Sequence, residues 1–327
     1  MPALTRGASV SVVACTYSMA RAAQLSNLIE ALKTQTVAPE QIIVTVDHNP
    51  ELLARLRAGL SGVTVTENVQ TRGLSGSRNS GIALASGDIV AFIDDDAIPA
   101  PQWIEQLAAG YEEHNVVGVG GPVDPMWEAP VPPWFPAEFG WVVGCGYAGM
   151  PHHAAAVRNF IGCNMSFRRE VLVGVGGFRI ELGRVGLIPV GCEETELCIR
   201  LIRDHPGYVL RFDPGPRVRH LVSRNRMTWA YFRSRCFAEG RSKARVARIV
   251  GSSRALASER SYVARTLTAG VARNVAQWFR GDQTGLARAA VIVAGLMATT
   301  AGFVVGRLQL VLGREPLATS RPETARK

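Results

Sequence analysis

The chain has 327 residues, of which 47% are hydrophobic, so it can bury the core of one large domain or two ordinary ones. Its formal net charge of +9 would suit a nucleic-acid partner. No nucleic-acid-binding motif accompanies the basic residues, so a nucleic-acid partner is not expected. The six cysteines lack any Cys-x-x-Cys spacing, which argues against a zinc site and against a disulfide framework.

Strand and helix patterns alternate over the first 120 residues. Short β-branched runs predict strands, and apolar residues at helical spacing predict the helices between them. The predicted strands are 9–15, 41–46, 63–66, 88–93 and 116–120, and the predicted helices are 20–35, 51–58, 75–85 and 101–113. This alternation predicts an α/β fold with a mostly parallel sheet. Such sheets bind ligands beyond the carboxyl ends of their strands, where Thr16, Asp47 and Asp94 fall.

Three consecutive acids, Asp94, Asp95 and Asp96, close the apolar run of the fourth strand. Carboxylates this close together repel one another unless a cation lies among them. Asp94 and Asp96 point to the same side of an extended chain, so they can share one divalent ion. Mg²⁺ and Mn²⁺ favour carboxylate together with phosphate oxygens, which indicates a diphosphate ligand. The alternative is a solvated acidic turn.

The pattern changes after the fifth strand. Residues 121–136 contain six prolines and several aromatic residues, and they predict an irregular segment. An acidic helix is predicted over 193–203, strands over 208–212 and 217–221, and a basic helical stretch from Met227.

Eight short motifs now follow one another in a specific order. They are VVACTY at 12–17, IVTVD at 43–47, RGLSGSRNSG at 72–81, GD at 87–88, FIDDDAIP at 92–99, CNMSFRR at 163–169, GGF at 176–178 and EETEL at 193–197. With these motifs the chain resembles the family 2 glycosyltransferases of GT-A fold over roughly residues 9 to 240. The resemblance implies an inverting, metal-dependent transfer from a nucleotide-diphosphate sugar, with a UDP-sugar favoured.

The resemblance also implies roles for individual residues. Those implied in the donor site are Thr16, Asp47, Arg78, Asp94 and Asp95, and those implied as ligands of Mg²⁺ or Mn²⁺ are Asp94, Asp96 and His220. Asp47 would accept a hydrogen bond from the nucleotide base, and the alternative is that it caps the helix that follows. Arg78 would offer its forked donors to phosphate or base, and the alternative is a surface arginine.

Glu193 and Glu194 stand where the family carries its catalytic acids. An inverting transfer needs a carboxylate that takes the proton of the acceptor hydroxyl. Glu194 aligns best with the usual base, and Glu193 and Glu196 are expected to raise its pKa. The same three acids also suit the first turn of a helix, because its dipole favours negative charge there.

The sequence of the carboxyl-terminal third predicts that the protein associates with a membrane. Residues 289–306 are uncharged between Arg288 and Arg307, at the lower length limit for a span, and a buried terminal helix is the alternative. From Arg233 to Arg273, ten basic residues face two acids, which suits an anionic membrane surface. No signal peptide is recognised at the start, so the cytoplasmic face of the cell membrane is expected. The predicted division is 1–225 catalytic domain, 226–286 basic helical region and 287–327 membrane segment with a polar tail.

These observations predict a glycosyltransferase with a lipid-linked or cell-envelope glycan acceptor. One alternative is a nucleotidyltransferase acting on sugar phosphates, but that class needs a glycine- and lysine-rich loop after the first strand, which residues 16–19 do not supply. The other is a non-catalytic, membrane-bound protein that binds nucleotide sugars, which the complete set of acids disfavours.

Overall fold

A computed structural model describes residues 7–186, 191–251 and 257–313. The strands are β1 (Val10–Thr16), β2 (Gln41–Val46), β3 (Thr64–Glu67), β4 (Ile89–Asp94), β5 (Ala97–Pro99), β6 (Val116–Gly120), β7 (Val123–Trp127), β8 (Ala155–Ala156), β9 (Met165–Arg168), β10 (Val209–Phe212) and β11 (Val218–Val222). The helices are α1 (Ala22–Lys33), α2 (Pro50–Gly59), α3 (Leu74–Leu84), α4 (Trp103–Ala109), α5 (Arg169–Gly174), α6 (Glu193–Asp204), α7 (Trp229–Val250), α8 (Ala257–Ser261), α9 (Thr268–Phe279) and α10 (Gly285–Val311).

The main sheet has eight strands in the order β3-β2-β1-β4-β9-β6-β10-β8. Within it β8 and β9 run antiparallel to the other six strands, so the expectation of a mostly parallel α/β sheet is confirmed. Alternate residues of β1 enter two different cores. Val12 packs in the core that α1, α2 and α4 cover, whereas Val13 packs with α3, α5 and α6 on the opposite face. Burial on both faces explains why these strands read as continuous apolar runs.

A second sheet of three strands, β5-β11-β7, carries part of the cavity wall. In it Ala97 lies opposite His220, which brings His220 next to the residue that follows Asp96. β7 falls inside 121–136, so the prediction that this segment has no regular element was wrong. It is an edge strand, where the missing N–H of Pro125 is tolerated.

The backbones of helices α7 and α10 are in direct contact where the two helices cross. A side chain at Gly240 would collide with the carbonyl oxygen of Thr299, and one at Gly302 would collide with that of Phe237. Only glycine permits this approach. Ile292 of α10 is buried in the same core as α7, so α10 is packed on the folded body.

The outer face of α10 is apolar and exposed. Val293, Met297, Val304 and Leu308 are 47%, 67%, 50% and 56% exposed, and their spacing places them along one stripe. Within the described ranges α10 alone is long and apolar enough to cross a membrane, with a mean hydropathy of 2.0 and 33% of its most apolar stretch buried. The uncharged segment thus forms an apolar helix, one face packed and the other open. The division of the chain at residues 225 and 286 stays a prediction.

Candidate active site

A cavity of about 470 Å³ opens beyond the carboxyl ends of β1, β2 and β4. One end, which we call the acidic end, is lined by Thr16, Asp47 and Asp94–Asp96 together with His220. The rest of the cavity is lined by residues of α7, α8 and α10 and of the π-helical turn Tyr262–Leu267, and Glu194 lines the same cavity.

The acidic end brings together the three predicted metal ligands. One ligand atom each of Asp94, Asp96 and His220 lies within 4.8 Å of the other two. The Asp96 Oδ1 atom is buried 3.2 Å from His220 Nε2, yet it accepts no hydrogen bond from any part of the chain that the structure describes. An orphaned carboxylate oxygen facing an imidazole nitrogen fits a cation shared between them. The residues present therefore fit a divalent metal.

Two arginines that the sequence did not mark also face these acids. Arg21 Nη1 donates to Asp95 Oδ1 at 2.5 Å, and Arg226 Nη2 lies 3.3 Å from Asp96 Oδ2. Burial raises the pKa of Asp95 to about 6, although Arg21 opposes that rise. Burial acts the same way on Asp96, but His220, Arg21 and Arg226 outweigh it and hold the pKa of Asp96 well below its usual range. Asp96 is therefore ionised at neutral pH.

Arg78 is buried and paired, so the surface-arginine alternative was wrong. Its Nη1 atom donates to Glu193 Oε1 at 2.8 Å, and its Nη2 atom donates to the Gly162 carbonyl at 3.0 Å and lies 3.7 Å from Asp94 Oδ1. The carboxylate of Glu193 is therefore held in an ion pair beside the acidic end.

Glu194 is the freer of the two glutamates. It is half-buried in the cavity wall, and within the described residues it forms no ion pair. Burial, and then the negative charges of Glu193 and Glu239, raise its pKa to about 8. The expected contribution of Glu196 was wrong, because that carboxylate is paired with Arg200 at 2.9 Å. Glu239 of α7 takes its place.

The carboxylate of Asp47 accepts hydrogen bonds from the loop before α3. It accepts from the Gly73 N–H at 3.0 Å and from Asn68 Nδ2 at 2.7 Å, while the residue lines the cavity. The alternative that Asp47 caps the next helix was wrong, since Asn49 caps α2 by accepting from the Leu52 N–H. Asp47 thus lines the cavity and fixes the loop that precedes α3.

Comparison with known proteins decides the family. The profile described as glycosyl transferase family 2 matches residues 11–175, which is half of the chain. The chain is 41% identical to a glucosyl-dolichyl phosphate glucuronosyltransferase of Haloferax volcanii over 240 residues, covering 72% of this chain and 76% of that one. The chain belongs to the family 2 glycosyltransferases. The enzyme is thus a glycosyltransferase, and the nucleotidyltransferase and non-catalytic alternatives are not favoured.

Two further proteins are similar to this glycosyltransferase. It is 24% identical to the succinoglycan biosynthesis protein ExoM of Rhizobium meliloti over 244 residues, covering 72% of this chain and 74% of that one. Its fold is similar to that of a mannosyltransferase from Pyrobaculum calidifontis solved with GDP-Man and Mn²⁺, with a TM-score of 0.55, 17% identity, and coverage of 90% and 88%. The GT-A fold implied by the motifs is confirmed.

Arg21 and Arg226 were missed because the acids that they face are remote in sequence, and Glu239 was missed because Glu194, on whose pKa it acts, lies on another helix. Arg21 lies 74 positions from Asp95, and Arg226 lies 130 positions from Asp96. The one available signal was that Arg21 follows the end of β1 in the glycosyltransferase, where ligand-binding loops are expected.

Proposed function

We propose that the enzyme performs an inverting, metal-dependent transfer from a nucleotide-diphosphate sugar to a hydroxyl of a lipid-linked acceptor. The observation that carries this proposal is the position of Glu194, which lines the same cavity as the metal-binding cluster and forms no ion pair with any residue that the structure describes. The relative named for a dolichyl phosphate substrate supports the lipid-linked acceptor, and the neighbour solved with GDP-Man and Mn²⁺ supports the donor class.

On the donor side, Asp94, Asp96 and His220 would hold Mg²⁺ or Mn²⁺. When bound, the metal supplies Lewis-acid stabilisation of the negative charge that develops on the leaving nucleoside diphosphate. Thr16, Asp47 and Asp95 line the same end and would contact the nucleotide, for which we favour uridine. Arg78 fixes Glu193 and stands beside Asp94, so it positions both acids.

On the acceptor side, Glu194 acts as the base. Its carboxylate takes the proton of the acceptor hydroxyl while that oxygen forms the bond to the anomeric carbon, and the bond from that carbon to the diphosphate breaks. A pKa of about 8 makes the carboxylate a stronger base than an ordinary glutamate. The carboxylate of Glu193 is instead held by Arg78.

A thermal-shift screen of nucleotide sugars tests the donor proposal. A ligand that binds only the native state stabilises it by about 2.7 kcal/mol at 100 times its Kd. We expect UDP-sugars to raise the Tm most, with GDP- and TDP-sugars weaker, and only when Mn²⁺ or Mg²⁺ is present. Failure of every nucleotide sugar to raise the Tm with either metal contradicts the proposal.

The exposed stripe of α10 supports a place on the membrane. We propose that the stripe lies against the cytoplasmic leaflet, with the basic residues of the preceding helices near anionic headgroups. The triple substitution Met297→Gln, Val304→Gln, Leu308→Gln should reduce co-sedimentation with anionic vesicles at least tenfold, because it removes exposed apolar area. The control is Val69→Gln, which changes a residue 74% exposed near β3. Equal losses in both variants, or none in either, contradict the placement.

A further inference from the structure

The part of the cavity wall formed by α7, α8 and the neighbouring loops, which we call the basic end, carries an excess of positive charge. Its cations and carboxylates are Arg158, Arg184, Arg235 and Lys243 with Glu239 and Glu259. Four cations against two carboxylates leave two positive charges uncompensated. This end of the cavity is therefore suited to an anion.

Among the described residues of the basic end, one arginine has no ion-pair partner. Glu259 pairs with Arg158 at 2.6 Å and with Lys243 at 2.6 Å, and Glu239 pairs with Arg235 at 3.3 Å. Arg184 has no carboxylate partner within the described ranges of the chain. Burial, and after it the charge of Arg235, lowers the pKa of Arg184.

Arg235 is also incompletely satisfied. Its Nη1 atom is buried and donates no hydrogen bond to any described residue, although Glu239 lies nearby. Arg184 and Arg235 both line the cavity and the charge of Arg235 acts on Arg184, so an anion that accepts from both is favoured there. Phosphate oxygens are the acceptors that match guanidinium geometry best.

An apolar wall adjoins these cations. Leu296 and Phe303 from α10 and Leu267 at the end of the π-helical turn line the same cavity. On the opposite surface of α10, the exposed stripe begins with Val293 and Met297. The helix thus separates the basic end from the surface that we place at the membrane.

We infer that the basic end binds the acceptor, with Arg184 and Arg235 holding its phosphate and with Leu296 and Phe303 contacting the first isoprene units of its lipid. The inference rests on the proposed lipid-linked acceptor and adds where that acceptor binds. The position of Glu194 supports the arrangement. Glu193, beside the acidic end, and Glu239, at the basic end, both lie close enough to raise its pKa. An acceptor sugar attached to a phosphate held here would extend toward Glu194.

Phosphate also occurs in the donor, so the test must separate the two sources. We would measure, by calorimetry, binding of a glucosyl phosphate carrying a two-isoprene chain, of the matching prenyl glucoside without phosphate, and of UDP with Mn²⁺. Arg184→Gln and Arg235→Gln should each weaken binding of the phosphate probe at least tenfold and change the affinity for UDP less than twofold. Arg184→Lys should recover part of the loss. The control Arg233→Gln removes an exposed charge from the same helix as Arg235 and should change neither affinity.

The outcomes distinguish the location from the proposed function. If the wild-type protein binds the phosphate probe and both glutamine variants bind it equally well, the location is wrong and the lipid-linked acceptor stands. If the variants lose UDP instead, the arginines serve the donor and the inference is overturned. If the wild-type protein binds neither prenyl probe, the lipid-linked acceptor itself is wrong. Retained UDP binding also shows that a variant is folded.

The apolar wall has its own test. Leu296→Ala should weaken binding of the prenyl-chain probe at least threefold and leave binding of glucose 1-phosphate, which has no chain, unchanged. Val311→Ala is the matched control, because this residue of the same helix is 80% exposed and lies outside the lining of the cavity. An equal effect on both probes, or an equal effect of both substitutions, overturns the assignment of this wall to the lipid.

Discussion

Replacing Glu194 with glutamine is expected to reduce turnover about 100-fold or more while donor binding is retained, because a positioned base contributes about 10²–10⁴-fold. The base must be ionised to accept a proton. Since its pKa is raised to about 8, kcat/KM of the wild-type enzyme should increase with pH and level off above about pH 8. Steady-state kinetics between pH 6 and 9.5, with donor binding measured by calorimetry, check both expectations.

Glu193→Gln is the matched comparison, because the two residues are neighbours with opposite environments. It removes the partner of the buried Arg78, and breaking a buried ion pair costs about 3–5 kcal/mol of stability. Glu194→Gln should act in the opposite direction at high pH. Because folding raises the pKa of this carboxyl, the wild-type protein loses free energy of unfolding as pH rises from about 4.5 through about 8. Glutamine does not titrate, so the variant does not lose it. The Tm advantage of Glu194→Gln should therefore grow over that range.

The two variants can also contradict the assignment. Loss of turnover with intact donor binding in Glu193→Gln, together with an active Glu194→Gln, would make Glu193 the base. Activity in both would place the base elsewhere in the cavity. A flat pH profile for the wild-type enzyme would show that Glu194 does not titrate in the rate-determining complex.

Asp96→Ala should abolish the part of donor binding that depends on metal. Its carboxylate faces His220 at 3.2 Å and belongs to the ligand cluster with Asp94, so the variant should bind UDP equally with and without Mn²⁺. Asp124→Ala is the control, because this acid pairs with Arg217 on the exposed edge of β7, outside the lining of the cavity. Calorimetry with and without Mn²⁺ is the measurement. Unchanged Mn²⁺-dependent affinity in Asp96→Ala rules out the metal assignment.

The acids of the site could be predicted because their signals are local. A buried strand that ends in Asp94 is readable from five consecutive apolar residues, and the acidic first turn of α6 contains both Glu193 and Glu194. His220 is different. It reaches Asp96 through the pairing of β11 with β5, and a pairing over such a separation leaves no periodic trace, so only the family resemblance indicated it.

The rest of the site depends on tertiary contacts between isolated charges. Arg184 lies in a loop after α5, and Glu239 occupies one turn of a helix whose basic residues read as a membrane-facing surface. The sequence distinguished a charged helix from a neutral one. It did not show which charges turn inward, because the buried side of α7 is set by α10, which packs against it through Gly240 and Gly302.

The contribution of α10 to the cavity also orders events during synthesis. Asp94–Asp96 are made early, whereas Leu296 and Phe303 are among the last residues of the described chain. At about 5–20 residues per second, roughly 4 to 17 s separate translation of His220, the last of the three metal-binding residues in the sequence, from translation of Phe303. The residues of the metal-binding cluster are therefore all synthesised before the helix that completes the apolar wall of the cavity.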